Sequence, residues 1–434
     1  MAASVDSTEV SLISKFADYL AEGFGCSTRI EVDATDSLRP RLVAGDRDEP
    51  LEERSVTDVL STSVILCRLD PARAQTRAFL ARVCAWLDGS PAGVVVADSD
   101  ARMAPADLRE LLCSQGLDPS FWGWAGEGTE SRRAPAAILE RNIRPQRLRA
   151  SSQFRVVAFM PAYNEADIIV HALQRLIAQD IDVYVIDNWS TDGTWEKVQE
   201  FVGRGVLGAE RFPPQGALPT YEWRRILGRV ESLAATVHAD WFILLDPDER
   251  RYSPWRGTSL KAGLQYVDRC GFNCIDHIVL NHWPTGERLD EADDVDDQLR
   301  FFTFSDHPGH FHQRRAWKNM GCPVSIAPSA GHDVTFPDRR VYPFKFLLRH
   351  FPIRSQAQAE RKLFVQRRPR WNAEERSFGW HQQYDGIERG ESFERDPSSL
   401  KHFEEPTFHE RYLIERLSGI GVFREPPPWA TPPR

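Results

Sequence analysis

Arg155-Val156-Val157-Ala158-Phe159-Met160 runs directly into Pro161-Ala162-Tyr163-Asn164-Glu165. Apart from Arg155 the first stretch is apolar and of strand length, so it predicts a strand buried on both faces of a parallel sheet. The same pattern returns twice downstream. Helical spacing over residues 167–178 leads to a second strand, Val183 to Asp187, and Thr191 to Phe201 predicts a helix with Ser190 or Thr191 as its cap. Another helix is predicted over 221–237, and a third strand, Trp241 to Leu245, ends in Asp246-Pro247-Asp248-Glu249. Strands separated by helices imply right-handed crossovers and a parallel sheet. Ligands of such sheets bind beyond the carboxyl ends of the strands, which is where all three polar loops fall.

The chain has 434 residues, enough for two or three domains, and 41% of them are hydrophobic. Its formal net charge is −9, which disfavours a general nucleic-acid binder and implies no nucleic-acid partner. No apolar run approaches the 18–20 residues of a membrane span. Met1 to Phe16 shows no basic start followed by an apolar core, so no secretory leader is expected and the chain reads as cytoplasmic. Seven cysteines with no CxxC pair argue for reduced thiols rather than zinc or a disulfide framework. An arginine-rich stretch near 130–150 marks a linker, and five prolines after residue 425 mark an extended tail.

Each polar loop has a plain reading and a chemical one. Asn164 can cap a helix after a Pro turn. Asp187-Asn188-Trp189-Ser190-Thr191-Asp192-Gly193-Thr194 can be turn-and-cap chemistry, or its carboxylates can accept from a ribose or a base N–H. Asp246-Pro247-Asp248-Glu249 is the sharpest of the three. Carboxylates delivered by a buried strand suit a hard divalent cation that offsets a diphosphate. Asp293, Asp294, Asp296 and Asp297, by contrast, read as a solvated acidic loop.

The order PAYNE, DNWSTDGT, LLDPDE resembles family 2 glycosyltransferases of the GT-A fold. The downstream stretches DPDERRYSPW, LNHWP, HPGHFHQRRAWKN, SAGHDVTFP and FPIRSQAQAERK resemble a bacterial branch with a long C-terminal extension, so that the likeness covers about 154–420. The resemblance implies an α/β, GT-A type, Rossmann-like, mostly parallel sheet over 154–345. It also implies a basic helical extension over 346–425, while composition sets the linker at 146–153 and the Pro-rich tail at 426–434. The implied activity is metal-dependent transfer of a sugar, with inversion, from a nucleotide-sugar donor to an acceptor hydroxyl of a polysaccharide, lipid-linked or other glycan. Pro161, Tyr163 and Glu165 would line the nucleotide pocket, Asp187 would bind the base and Asp192 would support its loop. Asp246 would touch the ribose or the metal (Mn²⁺ or Mg²⁺), Asp248 would be the main metal ligand, and His332 would add another, with His350 as its rival.

An inverting transfer needs a general base, and the resemblance places it near Asp333, 85 residues after Asp248, or at Asp297, with Asp296 and Asp385 as alternatives. The chain lacks the Glu-Asp pair and the Gln-x-x-Arg-Trp of better-known members. Seven basic residues between 349 and 370 fall on a predicted helix from Ser355 to Arg367. Arg354, Arg361 and Lys362 would face the diphosphate. A solvated face balanced by Glu360, Glu374 and Glu375 is the plainer alternative, and residues 349–370 also suit an anionic lipid surface at the inner face of a membrane. Trp380-His381 and Tyr384-Asp385 are candidates for an acceptor site.

Residues 57–140 resemble the second half of a methyltransferase-like domain through VILCRLD, GVVVADS, APADLRELLCSQGLD and AAILER. Strands are expected at Ser63 to Cys67, Gly93 to Ala97 and Ala136 to Leu139, with helices over 71–87 and 105–115. The only candidate for a cofactor loop is Gly23-Phe24-Gly25-Cys26, with no good strand before it, so residues 1–145 read as a degenerate domain that docks or presents the acceptor. Two other functions compete with glycosyl transfer. A nucleotidyltransferase acting on sugar phosphates would want a Gly-rich loop with Arg and Lys where PAYNE stands, and a non-catalytic scaffold would not need an intact DPDE.

Overall fold

The computed structural model describes residues 20, 26, 28–33, 40–44, 47–50, 63–69, 92–97, 103–114, 117, 119–125, 134–140, 148–286, 293–305, 312–381 and 385–413. By its internal contacts the chain divides into two units. One holds Met1–Arg147, Trp255–Gly257 and Glu404–Arg424, and the other holds Leu148–Pro254, Thr258–Phe403 and Glu425–Arg434.

The first unit carries a seven-stranded sheet. Its strands are β1 (Thr28–Asp33), β2 (Pro40–Ala44), β3 (Arg47–Pro50), β4 (Ser63–Leu69), β5 (Ala92–Ala97), β6 (Phe121–Ala125) and β7 (Ala134–Glu140), in the order β3-β2-β1-β4-β5-β7-β6. β1, β4 and β5 are parallel, and the remaining pairs are antiparallel. The helix Pro105–Ser114 opens on its proline and buries Leu108 and Leu112 four residues apart. The expected helix over 71–87, the Gly23-Phe24-Gly25 stretch and the tail over 426–434 lie outside the described residues. A glycine-rich cofactor loop would have to follow a strand, yet residues 34–39, between β1 and β2, contain no glycine.

The second unit is built on β8 (Val156–Ala162), whose seven residues are all buried, as an inner parallel strand requires. β9 (Asp182–Asp187), β10 (Val206–Arg211) and β11 (Trp241–Leu244) join it in parallel. β12 (Glu249–Tyr252), β13 (Cys274–Ile275), β14 (His277–His282), β15 (Phe301–Phe304), β16 (Ala316–Lys318), β17 (Phe346–His350) and β18 (Lys401–His402) complete the strands. The first sheet of this unit runs β10-β9-β8-β11-β16-β13, with β16 and β13 antiparallel at one side. Strand order reverses between β8 and β11, so the loops after these two strands open on the crevice that such a reversal creates. A second, five-stranded sheet runs β12-β17-β14-β15-β18.

The helix Ile169–Ile177 buries Ile169, Ala172, Leu173 and Leu176, the spacing of one helical face. The helix Trp223–Ala234 buries Trp223, Ile226, Leu227, Val230 and Leu233 in the same way. Phe242 lies at the centre of the core. Its ring stacks on Phe159 at 5.2 Å and tilts against Trp317 at 5.8 Å, in one cluster with Trp223 and Leu227.

Several expectations need correction. β10 was not expected; with only Val206 fully buried it carries no apolar run. The third helix begins at Thr194 after Gly193, whose φ of 97° few side chains tolerate, and neither Ser190 nor Thr191 caps it. Asn164 caps no helix either, since Ile168 holds that position ahead of Ile169. The region after 346 is not all helical extension, because Phe346–His350 is an inner strand of the second sheet. The expected helix from Ser355 is present as an α turn, Gln356–Glu360, that widens into a π-helix over Arg361–Arg367, with Ser355 as cap. The acidic stretch near 295 is solvated only at Asp293 and Asp297. Asp296 is buried against Arg175 and Arg349, and Asp294 caps a short helix and pairs with Arg250. The described cysteines are all free, and no helix among the described residues is long and apolar enough to cross a membrane.

Replacing Phe242 with Ala removes the ring between two aromatic neighbours and is expected to cost about 3–5 kcal/mol. Urea unfolding followed by tryptophan fluorescence measures it; a loss below about 1 kcal/mol would mean that the core behind the crevice is loosely packed.

Candidate active site

The loop after β8 and the loop after β9 are bolted together by hydrogen bonds. Asn164 N donates to Ser190 Oγ (3.0 Å), and Thr191 N donates back to Asn164 Oδ1 (2.8 Å). Glu165 N donates to Thr194 Oγ1 (2.9 Å) and Ala166 N to Asp192 Oδ2 (3.1 Å). Asn164 takes φ 55°, a conformation that its short polar side chain tolerates better than most. Asp192 thus supports the loop, accepting also from Thr194 N and Thr194 Oγ1. Asp187, at the end of β9, is wholly buried. Its Oδ2 accepts from Ser190 N at 3.0 Å, and its Oδ1 has no partner among the described residues.

The third loop is set by a register. β12 pairs antiparallel with β17 so that Glu249 lies opposite His350, and Phe351 N donates to Asp248 O at 2.8 Å. Asp248 Oδ1 therefore faces His350 Nε2 at 3.9 Å, while Lys362 Nζ donates to Asp248 Oδ2 at 2.8 Å. Glu249 is held by Arg315 (2.8 Å) and Arg251 (2.9 Å), and Asp246 by Arg315 (3.4 Å). Glu165 is gripped by Arg354 at 2.8 Å, with Lys362 at 3.7 Å and Arg367 at 3.9 Å.

One cavity joins these groups. Pro161, Tyr163, Glu165 and Asn188 line it from the first two loops, and Asp246, Asp248 and Glu249 from the third. Arg315, His332, His350, Lys362 and Arg367 supply its cationic and imidazole side. Tyr221, Trp223, Trp371, Trp380 and His381 form an aromatic wall. Arg370 lies over the Tyr163 ring at 4.2 Å and donates to Asn188 Oδ1 at 2.9 Å.

The structure brings together most, but not all, of the expected residues. Arg354 does not line the cavity; it is buried behind Glu165, with Asp167 as its second partner at 2.9 Å. Neither the buried Asp187 nor the exposed Asp192 is in the lining. Of the two histidines, His350 meets Asp248. His332 lines the cavity with its Nδ1 against Gln313 Nε2 at 2.8 Å. Asp333 is absent from the lining because Arg339 (2.6 Å) and Arg314 (3.4 Å) hold it elsewhere, and Asp297 is exposed beside Arg300. Asp385 is exposed on Arg376, and Tyr384 lies outside the described residues. Arg315, Tyr221 and Trp371 were not singled out from sequence, and Arg367 only as one of the basic stretch. The signal of the first three is weak because each is a lone residue whose partner lies far away along the chain.

Residues 157–250 match Glycosyl transferase family 2. This stretch is a family 2 glycosyltransferase domain. It contains all three loops and ends one residue past the DPDE carboxylates. Among solved structures the chain is similar to S. aureus TarS, at 9% identity and a TM-score of 0.28, covering 46% of this chain and 37% of that one. It is also similar to S. aureus TarS 1–349 in complex with UDP (13% identity, TM-score 0.23, 32% of this chain and 38% of that one). A third likeness is to UDP-glucose pyrophosphorylase complexed with UDP-glucose, at 9% identity and a TM-score of 0.19, over 42% and 73% of the two chains. The chain thus spans well under half the length of TarS. No curated protein matches it.

The acids of the glycosyltransferase domain are tuned apart. Burial raises the Asp248 carboxyl, but Lys362, His350 and Arg354 outweigh it and hold the group below its ordinary range. Glu249 is brought down to about 2, with Arg315 and Arg251 overcoming burial. Asp246 moves the other way, to about 6, through burial, against Arg315 and with help from Glu249 and Asp248. Its folded value lies above its ordinary one, so the ionised form costs stability above that range and the cost fades as pH falls through it. Asp246→Asn is therefore expected to melt higher than wild type near about pH 8, with the advantage shrinking below about pH 6 and gone by about pH 3. Thermal unfolding across pH tests this; an advantage that grows on acidification would reverse the sign.

Proposed function

We propose that the chain is a glycosyltransferase that moves a sugar from a nucleotide-sugar donor to an acceptor hydroxyl. The observation that carries this reading is the convergence of all three strand-end loops of the family 2 domain on one cavity, where their carboxylates confront Lys362, Arg315 and Arg367. In this reading Tyr163, backed by Arg370, packs beside the base, and the wholly buried Asp187 fixes the loop at its edge through Ser190 N. Lys362 and Arg367 neutralise the departing diphosphate, since cations placed where charge develops favour the transition state. Trp223, Trp371 and Trp380 offer flat faces to sugar rings.

The residues present suit a divalent cation at one place. Burial and the nearby Lys362 and Arg315 lower the His350 pKa, and its Nδ1 lies 3.0 Å from Asn281 Oδ1, so Nε2 presents a lone pair toward Asp248. Two electron-rich atoms facing each other form a donor pair, with Asp248 and His350 as holders. No group of three or more such side chains stands together among the described residues, so donor oxygens would complete the shell. A cation bound there would offset diphosphate charge.

Inversion by single displacement fits the lining, because every carboxylate in it is already gripped by an arginine or lysine and none is free to attack carbon. A cytoplasmic protein is the compartment we favour on its free thiols. The basic stretch spends much of its charge inward, Arg349 on Asp296, Arg354 on Glu165 and Lys362 on Asp248, which weighs against a lipid-binding face. The acceptor is a glycan hydroxyl, free, polymeric or lipid-linked. We assign the first unit a docking or acceptor-presenting role.

Thermal unfolding with UDP, GDP, dTDP and CDP, with and without Mn²⁺, tests the reading. One nucleotide at about a hundredfold its Kd should stabilise the fold by about 2.7 kcal/mol. The rise should need metal and vanish in Asp248→Ala. No rise with any nucleotide from a folded protein favours a non-catalytic scaffold instead.

A further inference from the structure

We propose that His381, held by Glu375, is the general base that takes the proton of the acceptor hydroxyl. The proposal deepens the glycosyl-transfer reading and rests on it. His381 lines the cavity beside Trp380 and Trp371, on its aromatic wall. Its Nε2 lies 3.1 Å from Glu375 Oε2. Glu375 is buried and fixed: its other oxygen accepts from Arg224 N at 2.7 Å, and Asn372 caps the short helix that carries it. A buried carboxylate on one ring nitrogen selects the tautomer with its proton there, so the lone pair sits on the other nitrogen. That nitrogen, Nδ1, has no partner among the described residues. The arrangement is nucleophile-side base plus orienting acid, the logic that activates hydroxyls in many hydrolases and transferases.

The other lining groups are engaged. Glu165, Asp246, Asp248 and Glu249 are paired with cations, His350 faces Asp248, and His332 is held by Gln313. Asp333, Asp297 and Asp385 are outside the lining. Tyr221 links the proposed base to the phosphate side, with the His381 ring edge-on to it at 6.0 Å and the Arg367 guanidinium over it at 4.9 Å. His381 takes φ 61°, a conformation in which histidine is several-fold enriched among side-chain-bearing residues.

The step balances as a displacement at the anomeric carbon. The bond from that carbon to the diphosphate oxygen breaks, and its electron pair leaves with the nucleoside diphosphate. The acceptor oxygen forms the new bond, and its proton passes to His381 Nδ1 and then to solvent. Glu375 stabilises the imidazolium formed and acts as a positioning residue.

The test uses the full chain and the sugar nucleotide whose diphosphate raises the melting temperature. Release of nucleoside diphosphate is followed with water and with a panel of methyl glycosides as acceptors. His381→Ala and His381→Gln should lower kcat by about 100- to 10 000-fold, with donor KM and nucleotide binding within about threefold of wild type. Added imidazole should restore part of the rate in His381→Ala. The groups facing His381 are Glu375 and Tyr221, with Arg367 behind the tyrosine ring. Removing the carboxylate in Glu375→Gln should therefore lower kcat while leaving donor KM and nucleotide binding within about threefold of wild type. Wild-type turnover in His381→Gln, or loss of nucleotide binding in it, overturns the assignment. A wild type that binds no nucleotide defeats the transfer reading itself, before the base is in question.

Discussion

Four carboxylates lie along one cavity at the end of a sheet, and this concentration of negative charge is the constraint on which the rest of the second unit depends. Unpaired buried carboxylates are costly, so each must be met by a cation of good geometry. The chain supplies those cations from far downstream. Arg315 enters just ahead of β16, while Lys362 and Arg367 enter from a helix that winds as α and then as π. Arg315 comes with the first sheet, while the second sheet leads into the helix that carries the other two, the pairing of β12 with β17 fixing where residue 350 stands against residue 249. A slip of one residue in that pairing would turn His350 away from Asp248.

The same charges prepare a site. On the proposed reading, a diphosphate entering the cavity would meet cations whose present partners are carboxylates, so binding would exchange one anion for another rather than expose naked charge. The loops that carry the acids are stiff because the first two hold each other through Asn164, Ser190, Thr191 and Asp192. Preorganised polar groups of this kind need little rearrangement when charge moves.

The sheet was legible in the sequence wherever a strand is buried on both faces. Val156–Ala162 and Trp241–Leu244 announce themselves as apolar runs, and their loops follow by position. β10 did not, since an edge strand with one fully buried residue has no apolar run to read. Of the site, the acids were legible because they crowd after strands. Their partners were not, because an arginine that pairs across a gap of 66 residues, as Arg315 does with Glu249, looks like any surface arginine. That His350 rather than His332 faces Asp248 follows from the β12–β17 register, which no local pattern encodes. Asp333 sat at a plausible distance along the chain, but two arginines hold it away from the cavity.

The cavity is lined from separate parts of the chain. One is the sheet end within residues 157–250, a second supplies Arg315, His332, His350, Lys362 and Arg367, and a third is a short strap, Trp371 to His381, with the helix Ala373–Ser377 inside it. The strap is held by the Glu375 side chain, which accepts from Arg224 N, and by a backbone bridge between Tyr221 and Trp371. Substitution at Trp371 or Trp380 can therefore redraw what the aromatic wall accepts while the sheet end and the His381–Glu375 pair keep the chemistry.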